Sequence, residues 1–246
     1  MLSKNRIKYI KSLSIKKNRY EEKCFVAEGS KTVEDLLSSF VCRAMYGTER
    51  YIGIRPDCFE LITPAELKSI SNLETPQDVL ALFEMPENIC DSMDVSGKLS
   101  LALENIQDAG NLGTIIRVAD WFGIENIMCS IGTVDVYNCK TVQATMGALA
   151  RVNVYYCDLK TCLMKLSSEM PIYATSLDGA DIYAAELSKN GVVVMGNEGN
   201  GISYELKQIC NSKLLIPNYP KGRKTSESLN VGIATAVICA EFRRPR

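Results

Sequence analysis

Residues 192–201 read VVVMGNEGNG, and residues 214–231 read LLIPNYPKGRKTSESLNV. In both stretches a short apolar run, typical of a buried strand, ends in a polar loop. Three glycines among residues 196–201 permit positive φ angles or the close approach of a ligand. Ser226 or Ser228 is placed to cap the apolar helix that follows. The two loops therefore predict a small-molecule site at the strand ends of an α/β sheet.

Composition excludes several classes of protein. The chain has 246 residues, 46% of them hydrophobic, which is enough for a buried core in one large or two small domains. No apolar run approaches ~20 residues and lysines interrupt the N-terminus, so we expect no signal peptide, no membrane span and a cytoplasmic location. With no histidine, the chain cannot form a Ser-His-Asp triad or a histidine-ligated zinc site. Its ten cysteines include no Cys-x-x-Cys pair, so their spacing predicts no metal site.

Positive charge is concentrated at the two ends of the chain. Residues 1–24 carry eight basic and two acidic side chains, and residues 213–246 carry seven basic and two acidic ones. Because the whole chain has a net charge of −1, the middle is acidic. This distribution favours a protein that meets a polyanion such as RNA over part of its surface, although basic termini also serve simply to keep proteins in solution.

The N-terminal part predicts a small α/β domain. A basic amphipathic helix is predicted over residues 4–20, and a capping box at Thr63–Glu66 predicts a helix from Pro64 to Ile70. We find no catalytic constellation in this part, and the polar residues 87–98 predict a linker. The other predicted elements are strands at 24–27, 41–46, 59–62 and 79–83, and a helix at 32–40.

The remainder of the chain alternates between strand and helix patterns, which predicts a parallel sheet with both faces covered. Asn111 is the predicted cap of the first helix, and Gly123 ends it. The last helix is apolar around most of its circumference, so we expect it to be buried on several sides, within the domain or against a second subunit. Strands are predicted at 99–103, 126–130, 152–156, 172–176, 192–195 and 214–216, and helices at 112–122, 141–150, 159–169, 202–210 and 229–242.

Three polar residues are candidates for chemistry. Asn111 and Arg117 lie six positions apart and need not share a helix face, so a cap and a surface arginine explain them as well as a site does. Arg117 stands among the apolar residues 115–119, however, where a charge needs an anionic partner. Glu198 is either a site residue or a solvated turn residue.

Three pieces of the chain match one set of motifs in order and spacing. They are DAGNLG at 108–113 with Arg117, GNEGNG at 196–201, and IP at 216–217 followed by ESLNV at 227–231. Together they resemble the motifs of the SpoU-type, TrmH-like RNA ribose 2′-O-methyltransferases of the SPOUT class, over about residues 99–243. FVAEG at 25–29 and TPQDVLA at 75–81 resemble the substrate-binding domain often fused in front of these enzymes.

The resemblance implies an α/β protein with an RNA substrate-binding domain at 1–90. A SPOUT methyltransferase domain with a parallel sheet would follow at 97–246, with a trefoil knot at approximately 192–242. It implies S-adenosylmethionine as the cofactor and methylation of a ribose 2′-hydroxyl, with ribosomal RNA favoured over transfer RNA. It also implies a homodimer packed near the knot, without membrane or metal.

The resemblance also assigns residues to roles. Proposals for the family cast the arginine that corresponds to Arg117 as the proton acceptor. Because a guanidinium is nearly always protonated, we prefer Arg117 as a clamp on phosphate and ribose. Around the reacting ribose the family places Asn111, Arg117, Glu198, Ser228 and Asn230, and around the cofactor Thr175, Gly196, Asn197, Gly201, Ile216 and Leu229.

The chain departs from the family pattern in one loop. Asn218 stands where methionine is usual, and residues 219–225 make the loop longer than is common, which puts the shape of the adenine pocket in doubt. Its Lys221, Arg223 and Lys224 could equally grip RNA phosphate or only solvate the loop. Two rival functions are a catalytically idle RNA-binding protein of the same fold and an unrelated nucleotide-binding oxidoreductase.

Overall fold

The computed structural model describes residues 1–87, 90, 93–220 and 223–245, and it contains two compact units. The first consists of Met1–Glu87 and Asp135–Arg151, and the second of Asn88–Val134 and Val152–Arg246. The predicted α/β class is confirmed, with a small mixed sheet in the first unit and a larger all-parallel sheet in the second. The predicted domains 1–90 and 97–246 remain a prediction, and residues 135–151 pack with the first unit.

The first unit has a four-stranded sheet in the order β1-β4-β2-β3. Strand β4 runs antiparallel to both of its neighbours, and β3 runs parallel to β2. The capping box predicted at Thr63 and Glu66 is present and begins helix α4. The elements are α1 (Lys4–Ser12), α2 (Lys16–Glu22), β1 (Cys24–Glu28), α3 (Ser30–Leu37), β2 (Cys42–Gly47), β3 (Phe59–Leu61), α4 (Pro64–Ile70) and β4 (Val79–Glu84).

The single helix predicted over residues 4–20 is instead a pair of helices. Leu13 turns into the core, and Ile15 adopts an extended conformation with its side chain 57% exposed. The break leaves carbonyl groups without helical hydrogen-bond donors, and side chains from α2 donate to these carbonyls instead. Asn18 donates to the carbonyl of Ser12 at 2.9 Å, and Arg19 donates to those of Leu13 and Ser14 at 2.8 Å. Because these donors lie beyond the break, an apolar-periodicity argument could not locate it.

The second unit has a six-stranded parallel sheet in the order β10-β8-β9-β5-β6-β7. Its central strands β5 and β9 are buried along their whole length. None of the helices in the described ranges has the length and apolarity to cross a membrane. The elements from here on are β5 (Leu99–Leu103), α5 (Ala109–Trp121), β6 (Asn126–Ser130), α6 (Cys139–Thr145, in the first unit), β7 (Asn153–Cys157), α7 (Leu159–Leu166), β8 (Ile172–Asp181), β9 (Gly191–Met195), α8 (Tyr204–Ile209), β10 (Ser212–Leu215) and α9 (Val231–Arg243).

The helix predicted over 141–150 is interrupted. α6 ends at Thr145, and a separate 3-10 turn spans Ala148–Ala150. Between them Met146 and Gly147 have φ angles of 52° and 89°, which no α-helix accommodates. The sequence GAL at 147–149 thus marks a turn inside what the apolar pattern presents as one helix.

Helix α9 packs beside α5 in the same direction. Gly232 allows this close approach, because a Cβ there would lie 3.0 Å from Cγ2 of Thr114. At the other end, Arg243 donates to the carbonyls of Phe122 and Gly123. The predicted burial on several sides is not achieved within the chain, since Ile233 remains 55% exposed.

Candidate active site

The candidate site lies at the carboxyl ends of β5 and β9, which are neighbours in the parallel sheet. Strands β6 and β7 continue the sheet on one side of β5, and β9, β8 and β10 continue it on the other. In open parallel sheets, ligands bind outside the carboxyl ends of the strands where the winding direction reverses. The strand-end loops singled out in the sequence therefore occupy the position where a ligand site is expected.

The glycine loop after β9 is closed by its own main chain. Asn197 N donates to Gly201 O at 3.1 Å, and Gly201 N donates to Asn197 O at 2.8 Å. Gly201 has a φ of +67°, and a Cβ on Gly196 would lie 2.2 Å from the carbonyl carbon of Gly201. A side chain at position 196 would therefore displace the loop.

The side chain of Asn197 fixes this loop to the neighbouring strand end. Its Oδ1 accepts from the main-chain N–H groups of Gly199 and Asn200 at 2.9 and 3.1 Å. Its Nδ2 donates to the carbonyl of Asn105, just beyond β5, at 2.8 Å. A hydrogen bond within the protein thus joins the two strand-end loops.

Three predicted catalytic residues from three separate segments of the chain form one hydrogen-bonded chain. Asn230 Nδ2 donates to Asn111 Oδ1 at 2.9 Å, and Asn111 Nδ2 donates to Glu198 Oε1 at 2.9 Å. Both bonds point toward the carboxylate, so Glu198 is the final acceptor. Asn111 is half-buried, whereas Glu198 is exposed and can meet a group from solution.

Asp108 is what places Asn111 in the site. Its carboxylate caps α5 by accepting from Asn111 N at 2.8 Å. The prediction that Asn111 caps this helix is therefore wrong, because aspartate is an equally good cap three positions earlier. Asn111 instead lies in the first turn, where its side chain is free to bond Glu198 and Asn230.

Asn230 has a second role as the cap of α9. Its Oδ1 accepts from Gly232 N at 3.0 Å and Ile233 N at 3.3 Å, while its Nδ2 reaches Asn111. The predicted caps Ser226 and Ser228 are wrong, since both lie exposed in the loop before the helix. The orientation of α9 and the hydrogen-bonded chain of the site thus depend on one side chain.

Arg117 lies on α5 but points outward. Its neighbours Ile115 and Ile116 are fully buried, whereas Arg117 is exposed, so the expectation that apolar packing surrounds its charge is wrong. Six residues correspond to about 120° around a helix, so Arg117 and Asn111 do not share a face. Within the described residues its guanidinium has no hydrogen-bond or ion-pair partner. An exposed, unpaired guanidinium is suited to an anion from outside the chain.

The predicted cofactor residues lie in four different segments of the second unit. Thr175 lies within β8, and its Oγ1 donates to the carbonyl of Val194 at 2.9 Å, which ties β8 to β9. Ile216 directly follows β10 and is half-buried. Leu229, 50% exposed, and Ser228 lie in the loop before α9. No hydrogen bond among the described residues joins Ile216, Ser228 or Leu229 to the chain of Asn111, Glu198 and Asn230.

Sequence analysis missed two residues that shape the site. Glu104 Oε2 accepts from Ser203 N at 2.8 Å and so holds the far end of the glycine loop. Asn105 has a φ of 54° and presents the carbonyl that Asn197 binds. Both directly follow the buried strand β5, and this position after a parallel strand could have identified them.

The unusual loop after β10 is described in part, and Lys221 lies outside the described residues. Arg223 and Lys224 are exposed, and Asn218 Nδ2 donates to the carbonyl of Arg223 at 2.9 Å. This bond joins the described residues on the two sides of the loop, and Arg223 and Lys224 present two cations to solvent. Whether they contact RNA remains a prediction.

An ion pair supports the edge of the sheet beside this loop. Lys213 Nζ lies 2.8 Å from Asp178 Oδ2. Hydrogen bonds from Lys213 and then from the Ser176 hydroxyl lower the pKa of Asp178 to about 2, so the carboxylate stays ionised at neutral pH. The pair spans β8 and β10 where their register shifts between Lys213 and Leu214.

A model described as the SpoU rRNA methylase family matches residues 98–240. The chain belongs to the SpoU family. Residues 4–81 match a second model, the MRM3-like substrate binding domain. The two resemblances inferred from the motifs are thereby confirmed.

Several proteins are similar to this chain over nearly its whole length. The 23S rRNA (guanosine(2553)-2′-O)-methyltransferase RlmP of Bacillus subtilis is 31% identical over 248 residues, covering 97% of this chain and 96% of that protein. A structure described as a TrmH-family RNA methyltransferase from Porphyromonas gingivalis has a TM-score of 0.89 at 38% identity, with 99% and 98% coverage. An rRNA methyltransferase from Sinorhizobium meliloti with S-adenosylmethionine bound has a TM-score of 0.85 at 27% identity, with 99% and 95% coverage. The fold is therefore that of SpoU methyltransferases.

Proposed function

We propose that this protein is an RNA methyltransferase that uses S-adenosylmethionine to methylate a ribose 2′-hydroxyl, with ribosomal RNA as substrate. The observation that carries the proposal is the hydrogen-bonded chain of Asn111, Glu198 and Asn230 at the strand ends of a SpoU-family fold. The ribosomal substrate is supported by RlmP, whose name specifies 2′-O-methylation of 23S rRNA.

The residues at the strand ends fit the proposed cofactor. A Cβ on Gly196 would lie 2.2 Å from the carbonyl carbon of Gly201, so the two main-chain segments meet directly, and a Cβ on Gly201 would meet no atom within 4 Å. Ile216 and Leu229 would offer apolar contact to an adenosyl group. When bound, S-adenosylmethionine supplies an activated methyl group on a positively charged sulfur.

The protein's own contribution is alignment and charge. Methyl transfer to the ribose oxygen releases the hydroxyl proton, and the enzyme must hold the oxygen in line with the methyl group. Glu198 is oriented by Asn111 and accepts a hydrogen bond from a ribose hydroxyl. Arg117 holds the adjacent phosphate, because it is exposed and unpaired in the described part of the chain.

The proposal extends to assembly and location. A homodimer packed through the knotted region, approximately 192–242, would cover the apolar side of α9 on which Ile233 is exposed. Ala240, two turns further along the same side, is exposed as well. The N-terminal domain would present the RNA substrate, and the protein would act in the cytoplasm, where ribosomes are made.

Arg117→Ala tests the division between cofactor and RNA binding. We expect turnover on RNA to be abolished, while calorimetric titration gives an affinity for S-adenosylmethionine within a few-fold of the wild type. Lys189→Ala, an exposed cation outside the site, is the control and should retain turnover. Near-normal turnover of Arg117→Ala would reject the phosphate-clamp role, and no binding of S-adenosylmethionine by the wild type, even with RNA present, would reject the proposed function.

A further inference from the structure

Three cysteines from separate parts of the second unit converge at one point. Cys90 precedes β5, Cys157 is the last residue of β7, and Cys162 lies in α7. Their Sγ atoms all lie within 4.8 Å of one another, and those of Cys90 and Cys162 are 3.2 Å apart. None of the three belongs to the hydrogen-bonded chain of the candidate active site.

The spacing of the three sulfurs matches that of ligands around one ion. A Zn–S distance of about 2.3 Å places the sulfurs of a tetrahedral or trigonal site about 3.8–4.0 Å apart. The observed separations, from 3.2 Å to at most 4.8 Å, bracket this value. A disulfide would use only two of the sulfurs and would leave the third as a half-buried thiol.

The environment of the cluster also favours a metal over free thiols. Protonated thiols are weak hydrogen-bond donors and gain little from facing one another. A metal ion displaces the protons and gives each sulfur a strong partner, because thiolates are the preferred ligands of soft cations.

We propose that the thiolates of Cys90, Cys157 and Cys162 bind one thiophilic metal ion, Zn²⁺ or Cu⁺. Each thiol loses its proton to solvent as its sulfur bonds the ion, and no oxidation or reduction takes place. Zn²⁺ would complete its four ligands with water, whereas the three soft sulfurs alone suit Cu⁺. The bound ion fixes residue 90, in the segment that leads into β5, to helix α7.

This site reverses the expectation from cysteine spacing. The spacing argument searched for a Cys-x-x-Cys pair, and the chain has none. Cys157 and Cys162 instead have four residues between them, and the third ligand lies far upstream, so only the folded chain assembles the three.

The test is a titration of the reduced, metal-free full-length protein with Co²⁺, Zn²⁺ and Cu⁺ in separate experiments. We expect one ion per chain and a sulfur-to-cobalt charge-transfer band with Co²⁺. We also expect Co²⁺ to be displaced by whichever of Zn²⁺ and Cu⁺ the site binds more tightly. Cys162→Ser should weaken binding by at least about tenfold, since loss of an outer-sphere partner alone costs that much. Cys210→Ser, which removes a half-buried thiol that bonds the carbonyl of Leu206, is the matched control.

Alkylation of the wild-type protein gives a readout that needs no variant. Bound Zn²⁺ or Cu⁺ should protect Cys90, Cys157 and Cys162 from iodoacetamide, as mapped by mass spectrometry, and leave the labelling of Cys42 unchanged. Absence of stoichiometric binding would overturn the proposal. Binding that Cys162→Ser leaves intact, or a Cys90–Cys162 disulfide in air-exposed protein that takes up no metal after reduction, would overturn it as well.

Discussion

Replacing Asp135 by alanine should strongly destabilise the first unit, because it leaves a buried charge without its partner. The side chains of Arg19 and Asp135 are 1% and 4% exposed. Arg19 donates to Asp135 Oδ2 from Nη2 at 2.5 Å and from Nε at 3.1 Å. Asp135 Oδ1 accepts from Tyr137 N at 3.1 Å. Removing one member of such a pair costs about 3–5 kcal/mol, and we expect Asp135→Ala to lower the free energy of unfolding by that amount.

Equilibrium unfolding in urea, followed by circular dichroism, measures this loss. Glu21→Ala is the control: Glu21 pairs with Lys17 at 3.7 Å, but both side chains are more than half exposed, so its removal should cost less than about 1 kcal/mol. Arg19→Met combined with Asp135→Leu removes both charges and should be more stable than Asp135→Ala. A loss for Asp135→Ala no larger than that of Glu21→Ala would refute the reasoning.

Three further predictions follow from contacts in the structure. Gly196→Ala should weaken calorimetric binding of S-adenosylmethionine at least about tenfold, because its Cβ would lie 2.2 Å from the Gly201 backbone; Gly199→Ala, whose nearest contact is 3.5 Å, should bind normally, and equal affinities would contradict the prediction. Asn230→Ala should lower the free energy of unfolding by about 0.5–2 kcal/mol, because α9 loses its cap, and should also abolish methyl transfer. Asn230→Ser should restore the stability but not the activity. Full activity of the serine variant would argue against a role for the Asn230 amide. Hydrogen bonds from Thr63 and Leu2 lower the pKa of Glu66 from 4.5 to about 2. The ionised carboxylate therefore stabilises the folded state above pH 4.5, and this contribution is lost as the pH falls toward 2. Thermal unfolding of Glu66→Gln should therefore depend less on pH in that range, and an unchanged dependence would exclude this origin.

Local patterns predicted the elements whose causes lie within a few residues. The capping box at Thr63 and Glu66 gave helix α4 its bounds, and the apolar run of β5 gave that strand its bounds. The motif residues Asn111, Glu198 and Asn230 were chosen from a family resemblance, and the structure brings them into hydrogen-bond contact.

Features that depend on distant partners could not be predicted in this way. Asp108 and Asn111 are equally suitable caps by residue type, and only the folded chain shows that Asp108 caps α5 while Asn111 lies in its first turn. Arg19 and Asp135 are separated by 116 positions, so no local pattern connects the helix break at residue 13 with the segment 135–151. The three-cysteine cluster has the same origin, because its members meet only in the folded chain.

Transfer of a labelled methyl group to ribosomal RNA tests the central claim most directly. Purified protein is incubated with tritium-labelled S-adenosylmethionine and ribosomal RNA from cells lacking the protein, and the RNA is digested to nucleosides. We predict label in a 2′-O-methylated nucleoside with the wild type and with Glu186→Gln, an exposed carboxylate outside the site, and little or none with Glu198→Gln. Label on a base, or full transfer by Glu198→Gln, would contradict the account.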